Sequence, residues 1–457
     1  MSTKKTEMDL TQGPILGKII RFTLPLIATG LLQTLYNASD MVVVGRYASD
    51  HAMGAVGACG ALINLLINLF FGLAVGVGVS VAQGIGAKKY EDVEKIIHTS
   101  LIASVFCGIA LGIFGFIMTE PLLKLMDTPD ATLSEAVPYM KAYFVGIPAS
   151  MVYNFMASAL RSSGDTKRPL IILSISGLAN VILNYVMVRF FHLGAVGVGI
   201  ATAVSQYISA VMVIIHMLKL DGCCKVRVNK LHFDKSKLWL ITKIGLPAGI
   251  QGTLFSLSNV IIQSTINSFG PVVVDGNSAA SNIEGFIYIS MNALYQTVLT
   301  FVGQNIGAGT YERIKKIIFQ CVILVTAVGF IMGTSAYIFG DKLLSIYAPE
   351  SAEVRAAGMV RISIICLTYF TCGLMDVGCG VLRGMGKTIL PMMVSLVGSC
   401  VFRILWIQFV FPNFNTIRSV YISYPISWII TAAVHFSLGI YFYRKLMKSK
   451  TEKVSLV

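Results

Sequence analysis

Residues 219–243 read KLDGCCKVRVNKLHFDKSKLWLITK and interrupt an otherwise apolar chain. The stretch holds seven Lys and Arg side chains against two Asp side chains, and it divides the chain into halves of similar length. Its end, Thr242-Lys243-Ile244-Gly245-Leu246-Pro247, loosely repeats Ile20-Arg21-Phe22-Thr23-Leu24-Pro25, which lies 222 positions earlier. The chain is therefore predicted to be a duplication joined by a basic linker.

Composition indicates a membrane protein. Of 457 residues, 55% are hydrophobic and 13% are charged, with a mean hydropathy of +0.75, whereas soluble domains carry about 25% charged residues. Apolar stretches of about 20 residues, the length that a bilayer requires, recur along the chain. We predict an all-α membrane protein with twelve transmembrane helices, at residues 16–44, 52–82, 93–118, 136–160, 169–190, 194–218, 238–269, 275–303, 314–339, 355–381, 388–411 and 417–443.

The net charge of +14 is explained by topology and does not call for a nucleic-acid partner. With the N-terminus in the cytoplasm, 27 of the 36 Lys and Arg residues fall in the cytoplasmic segments or at the cytoplasmic ends of the predicted spans. This bias is what the positive-inside rule predicts. No removable signal peptide is evident in the first eighteen residues. We expect a multi-pass protein of the cell membrane with both termini in the cytoplasm.

The repeat is clearest in the loops. Gln83-Gly84-Ile85-Gly86-Ala87 corresponds to Gln304-Asn305-Ile306-Gly307-Ala308, and Leu160-Arg161-Ser162-Ser163-Gly164-Asp165-Thr166 corresponds to Leu382-Arg383-Gly384-Met385-Gly386-Lys387-Thr388. Because each half holds an even number of spans, both halves enter the membrane from the same side. This predicts two six-helix bundles related by a parallel internal repeat, with an N-lobe at 1–218, a cytoplasmic basic linker at 219–237 and a C-lobe at 238–457.

On these motifs the chain resembles the multidrug and toxic compound extrusion (MATE) family of antiporters over nearly its full length. The marks are the Pro25 span that ends in Asp40-Met41-Val42-Val43-Val44-Gly45, the two Gln-x-x-Gly-Ala loops and the loop at 382–388. The resemblance implies a secondary active transporter that exports cationic amphipathic compounds in exchange for H⁺ or Na⁺.

Asp40 is the first candidate, because an ionisable group within a span is costly and therefore usually functional. It shares a helix face with three polar residues, Gln33, Tyr36 and Asn37. A polar face on a membrane helix has to be buried within the helix bundle or line a water-filled cavity, so Tyr36 and Asn37 are candidate substrate contacts. In MATE relatives an acid at the position of Asp40 is linked to coupling.

Asn180 and Asn184 lie four residues apart in the fifth span and offer amide partners to Asp40. We include both in the ion-coupling group. Many MATE relatives carry a second acid where this chain has Asn184, so a two-carboxylate site is not expected here. The alternative for Asp40 is a structural one, in which it caps its helix or bonds to Arg46. A carboxyl that loses hydration favours its neutral form, which favours H⁺ over Na⁺ as the coupling ion.

Glu284 lies about ten residues into the eighth span, on a face with Tyr288, Asn292 and Tyr295. A carboxylate with tyrosines suits an organic cation through charge and cation–π attraction. We therefore predict that Glu284, Tyr288 and Asn292 bind substrate, and MATE relatives carry a functional acid on this helix. The alternative is a Glu that bonds a neighbouring helix for packing alone.

Asp376 in the tenth span corresponds across the repeat to Asn154 in the fourth. Acids on this helix bind the coupling ion in some MATE relatives, so Asp376 joins the ion-coupling group and Asn154 the substrate-binding group. Glu284 and Asp376 together are a possible Na⁺ site, and no firmer metal site is predicted. The alternative for Asp376 is an ion pair with Arg403, in which the two buried charges neutralise each other.

Other signals indicate packing. Nine cysteines without a CxxC pair give no metal or disulfide framework, and we expect no cofactor. Gly72-x-x-x-Gly76 has the spacing of glycines that pack membrane helices.

The sequence thus predicts a monomeric multidrug exporter that works by alternating access. One rival is a lipid-linked saccharide flippase of the same superfamily, which needs a cationic cavity, whereas the ionisable residues noted within the spans are mainly acidic. The other rival is an intramembrane enzyme, for which we find neither a metal cluster nor a nucleophile–base arrangement.

Overall fold

The computed structural model describes residues 8–48, 50–126 and 128–454, and this part of the chain is helical without strands. The helices are α1 Ile15–Tyr47, α2 Asp50–Gly86, α3 Tyr90–Leu125, α4 Asp130–Ser162, α5 Lys167–Arg189, α6 Gly194–Lys219, α7 Lys235–Asn267, α8 Pro271–Gly307, α9 Tyr311–Ile338, α10 Gly340–Leu344, α11 Ala352–Arg361, α12 Tyr369–Gly384, α13 Ile389–Ser395, α14 Phe402–Leu405, α15 Phe411–Phe414 and α16 Ile417–Val454.

Eleven of the described segments are long and apolar enough to cross a membrane. A twelfth consists of Ala352–Cys366 and Tyr369–Gly384, which are bent by 42° where a π-helical turn at Ile362–Cys366 follows α11. The eleventh span, Ile389–Phe414, joins α13, α14 and α15 through further π-helical turns. These segments confirm the prediction of an all-α membrane protein with twelve spans.

The repeated loops have the same backbone conformation. In the first, the amides of Gly164 and Asp165 donate to the carbonyls of Arg161 and Leu160, at 3.0 Å each. In the second, the amides of Gly386 and Lys387 donate to the carbonyls of Arg383 and Leu382, at 2.8 and 2.9 Å. All four residues lie 222 positions after their counterparts in the first loop. Gly164 and Gly386 have φ of +97° and +78°, a conformation that residues with a Cβ rarely adopt. The glycines are therefore kept at matching positions because the turn requires them.

By contacts the chain divides into two units. The first comprises Met1–Asp9 and Leu24–Gly249, and the second comprises Leu10–Thr23 and Ile250–Val457. Two long helices, α1 and α7, therefore contribute residues to both units, and each contains a proline. The limits of these units differ from the boundaries at 218 and 238 that the sequence suggested for the lobes.

Small residues bring α2 against the first half of α7 within the first unit. A Cβ added at Gly72 would lie 2.1 Å from the backbone nitrogen of Gly249, and one at Gly76 would lie 2.2 Å from the carbonyl oxygen of Ile241. No side chain fits such a gap, so the backbones touch directly. The prediction that Gly72 and Gly76 pack helices is confirmed.

The basic linker is held against the start of α3. Arg227 pairs with Glu94 at 3.2 Å, and Lys237 pairs with Asp92 at 2.7 Å. Asp234 caps α7, because its carboxylate accepts from the Ser236 amide at 2.8 Å and from the Ser236 hydroxyl at 2.7 Å. These bonds to Ser236 lower the pKa of Asp234 below its usual value. The linker is thus an ordered part of the first unit.

Candidate functional site

The first unit brings Asp40 and the two predicted asparagines together. α1 presents Asp40 and α5 presents Asn180 and Asn184 one turn apart, so the three can form a chain. Asn184 Nδ2 donates to Asp40 Oδ1 and also lies 3.2 Å from Asn180 Oδ1, while Asn180 Nδ2 lies 3.4 Å from the Thr202 hydroxyl on α6. Asn184 is fully buried and Asp40 is half-buried. Asp40 therefore lies at the end of a hydrogen-bond chain whose other members, Asn184, Asn180 and Thr202, are uncharged.

One acceptor in this chain has no donor. Asn184 Oδ1 is buried and makes no hydrogen bond to any residue that the structure describes. Asp40 also forms no ion pair within the described ranges, and Arg46, the partner considered in the sequence analysis, is exposed. A carboxylate cannot donate to that amide oxygen, whereas a carboxylic acid can.

The predicted substrate residues of the first unit have different surroundings. The ring of Tyr36 packs on α5, where a Cβ at Gly177 would lie 1.8 Å from it, and the Tyr36 hydroxyl donates to the Ser174 carbonyl at 3.3 Å. Asn37 is exposed. Asn154 is half-buried, and its amide donates to the Ser150 carbonyl of its own helix at 2.8 Å. Asn37 thus has the most accessible side chain of the three.

Glu284 is held by a residue that the sequence analysis did not select. Arg361, at the end of α11, donates to Glu284 Oε2 through Nε at 3.0 Å and through Nη2 at 2.6 Å. Its third nitrogen donates to Asn277 Oδ1 at 2.7 Å, and that oxygen also accepts from the Tyr421 hydroxyl at 3.1 Å. The side chains of Arg361 and Glu284 are 8% and 14% exposed, so the ion pair is almost dry. The Glu284 carboxylate is therefore already paired with a cationic side chain.

Asp376 and Arg403 do not pair with each other in this structure. The Arg403 guanidinium stacks 4.1 Å from the centre of the Tyr424 ring and donates to the Ser427 hydroxyl at 2.9 Å. Asp376 is half-buried and has no hydrogen bond or ion pair to the described residues. The ion pair that served as the alternative for Asp376 is absent because aromatic rings on α16 hold Arg403.

A polar ladder runs along α8 in the second unit. Gln296 donates to Asn292 at 2.7 Å, and Asn292 donates to the hydroxyl of Tyr288 at 3.5 Å. Tyr288 is 45% exposed. About one turn further along α8, the Tyr295 hydroxyl accepts a hydrogen bond from Arg383 at 2.5 Å. Tyr288, Asn292 and Tyr295 thus form the predicted polar face of α8, whereas the Glu284 carboxylate is bonded to Arg361.

Three buried guanidinium groups therefore lie in the second unit, those of Arg361, Arg383 and Arg403. Arg361 and Arg403 fall inside predicted spans and equal the candidate acids Glu284 and Asp376 in number, so charge within the spans of this unit is balanced and not mainly acidic as expected; Arg383 belongs to the repeated loop. Arg361 could have been found from sequence, because it falls inside the predicted tenth span and meets the same criterion as Glu284. Its pairing could not, because it depends on how α8 and α11 pack.

The family model MatE matches residues 25–186 and 247–407. The chain belongs to the MatE family. The two matched segments start 222 residues apart, which is the offset of the internal repeat. The resemblance found in the loop motifs is confirmed, and this MatE-family chain is a transporter and not an enzyme.

Relatives of the MatE chain match nearly its full length. It is 25% identical to the probable multidrug resistance protein YoeA of Bacillus subtilis, over 95% of each chain. It is 23% identical to the multidrug export protein MepA of Staphylococcus aureus, over 87% of this chain and 88% of that one. A solved MOP-superfamily transporter from Pyrococcus furiosus shares the fold, with a TM-score of 0.91 at 18% identity, over 98% of this chain and 100% of that one.

Proposed function

We propose that this MatE-family transporter exports cationic amphipathic compounds in exchange for protons, by alternating access, across the cell membrane. The names of YoeA and MepA, a resistance protein and an export protein, support drug export. Asp40 is the group that carries the proton. The observation behind this assignment is the hydrogen-bond chain from Asp40 through Asn184 and Asn180 to Thr202, which contains no cation.

The chain suits a carboxyl group that gains and loses a proton. Ionised Asp40 accepts from the amide of Asn184. When protonated, it can also donate to Asn184 Oδ1, the buried acceptor that otherwise has no donor. Acid and amide would then be joined by two reciprocal hydrogen bonds, so the neutral form gains a bond that offsets the lost charge. Asp40 therefore has a hydrogen-bond partner in both protonation states, and the buried Asn184 oxygen gains a donor only in the protonated state.

Sodium is less well supported as the coupling ion. Na⁺ is a hard cation that needs several oxygen ligands and usually more than one negative charge. The charge of Glu284 is already balanced by Arg361 at 2.6 Å, which leaves Asp376 as the sole uncompensated carboxylate of the suggested Glu284–Asp376 site. Around Asp40 the described partners are amides and a hydroxyl.

Exchange follows from electrostatics. An ionised Asp40 attracts a cationic substrate, and that attraction is strong in a poorly hydrated site. Protonation from the outer side removes the charge, so the substrate is released there and the neutral site can return. Deprotonation on the inner side restores the attraction. Among the predicted substrate residues, Asn37 in the first unit and Tyr288 in the second have exposed side chains.

The rival substrate is an anionic, lipid-linked saccharide bound by arginines. The three buried guanidinium groups of the second unit each have an internal partner: Arg361 has Glu284, Arg403 has Tyr424, and Arg383 has Tyr295 and Gln251, at 2.8 Å for the latter. Arg383 Nε and Arg403 Nη2 make no hydrogen bond to described residues, so the proposal of a cationic substrate rests on the charge of ionised Asp40 and not on these arginines being fully bonded.

Transport by purified protein in liposomes tests the proposal. With an imposed pH gradient, wild type should export cationic dyes, and Asp40→Asn should bind the same dyes more weakly and should not export them in response to the gradient. Asp275→Asn, which removes an exposed carboxyl elsewhere on α8, is the matched control and should export normally. Export driven only by a sodium gradient, or unchanged pH-driven export by Asp40→Asn, would refute proton coupling through Asp40.

A further inference from the structure

An open cavity of about 320 Å³ lies where the starts of α1 and α9 meet, within the second unit. It is lined by Gly13, Pro14, Ile15, Glu312, Arg313, Lys316 and Gln320. Arg313, Lys316 and Gln320 recur every three or four residues, so one face of α9 forms a wall. None of these residues belongs to the Asp40 chain or to the ladder on α8.

The cavity carries excess positive charge. Arg313 and Lys316 line it, and a methyl group at Gly13 would lie 3.4 Å from Lys18 Nζ, which places a third cation at its edge. The acid of the wall, Glu312, is already paired with Lys450 at 2.6 Å. Three cationic side chains thus surround a space whose lining carboxylate is neutralised.

Donor groups in the wall remain available. Arg313 Nη2 donates to the Gly13 carbonyl at 3.0 Å, but its Nε is buried and has no hydrogen-bond partner in the described part of the chain. Lys316 is exposed and forms no hydrogen bond or ion pair with described residues. Phosphate oxygens are the acceptors that such Arg and Lys groups bind well.

The surroundings favour a lipid as the source of the phosphate. The N-terminal halves of the same two helices expose large apolar side chains: Leu16 and Ile20 on α1, and Phe319 and Ile323 on α9. The cavity also lies at the membrane surface that holds the N-terminus, where the positive-inside rule places the cytoplasm. Basic pockets between membrane helices on that side suit anionic headgroups.

We propose that this cavity binds the phosphate headgroup of an anionic phospholipid, with Arg313, Lys316 and Lys18 around the phosphate and the acyl chains along α1 and α9. The site is separate from the residues that carry transport. It ties the start of α1, through the Arg313–Gly13 bond, to a lipid of the inner leaflet.

Binding of soluble short-chain lipid to the purified full-length protein tests this proposal. Dioctanoyl phosphatidylglycerol, dioctanoyl phosphatidylcholine and inorganic phosphate are titrated separately, and affinity is measured by thermophoresis in a neutral detergent. Lys316→Gln removes a cavity charge without removing an internal bond. Lys315→Gln is the matched control, because its exposed side chain lies beside the cavity residues in sequence but does not line the cavity.

We expect phosphatidylglycerol to bind wild type and Lys315→Gln equally, and to bind Lys316→Gln about fivefold more weakly, the effect expected for one lysine near a lipid surface. Arg313→Gln should weaken binding at least as much. Equal affinity for phosphatidylcholine, equal affinity for inorganic phosphate, or equal loss in Lys315→Gln and Lys316→Gln would each overturn the assignment.

Discussion

At the scale of single residues, two carboxyl groups in membrane helices have opposite surroundings. Asp40 is bonded to an amide and ends a neutral chain, whereas Glu284 receives two hydrogen bonds from one guanidinium. Ion pairs with little exposure are costly to break, because the remaining charge is left without a partner. We therefore propose that Glu284 holds α8 against α11, the packing alternative considered from the sequence.

The Glu284–Arg361 pair predicts a coupled stability effect. Glu284→Gln should destabilise the second unit by about 3 kcal/mol because it leaves the buried Arg361 charge uncompensated. Glu284→Gln combined with Arg361→Met should recover much of that loss. The measurement is the midpoint of denaturant-induced unfolding in detergent, analysed as a double-mutant cycle. Additive effects of the two substitutions would show that the pair carries no coupling and would return Glu284 to the substrate candidates.

At the scale of elements, glycine contacts fix how α7 lies on α2. The contact between Gly72 and Gly249 leaves no room for a side chain. Both glycines lie in helix interiors, where alanine is ordinarily favoured by about 1 kcal/mol. Keeping glycine there is explained by the close approach of the two backbones.

Alanine substitution should lower stability at a glycine in this helix contact but not at a glycine that faces open space. Gly72→Ala should destabilise the protein by about 1–3 kcal/mol, the usual cost of forcing atoms into a packed interface. Gly285→Ala, where an added Cβ meets open space, should be neutral or mildly stabilising. Thermal unfolding followed by circular dichroism compares the two. A Gly72→Ala protein as stable as Gly285→Ala would contradict the backbone contact.

At the scale of the whole molecule, most of the fold could be predicted and only part of the site. The length of the apolar stretches predicts the spans, and the repeated loop motifs predict the duplication. Both patterns are visible in the sequence without knowing which side chains touch. The link between Asp40 and Asn184 was also predictable, since a polar residue on one apolar helix needs a polar partner on another. The partners of Glu284 and Arg403 were not, because several helices offered candidates and side-chain packing selects among them.

Topology is the prediction that belongs to this scale. In a background without the nine cysteines, which are all free thiols in the structure, Lys230→Cys should react with a membrane-impermeant maleimide only after cells are opened. Glu350→Cys, in the loop that follows α10, should react in intact cells. Both positions are exposed, so access differs only by the side of the membrane. Labelling of Lys230→Cys in intact cells would reverse the proposed orientation.

The measurement that tests the account most directly is proton release on substrate binding. Purified protein in weakly buffered detergent solution, with a pH indicator, is mixed with a cationic dye at a pH where Asp40 is partly protonated. Binding should release up to about one proton per dye in wild type and in Asp275→Asn, because cation and proton compete for one carboxylate. Asp40→Asn, at a dye concentration raised to saturate its weaker binding, should release none. Equal proton release from wild type and Asp40→Asn would contradict the claim that Asp40 carries the exchanged proton.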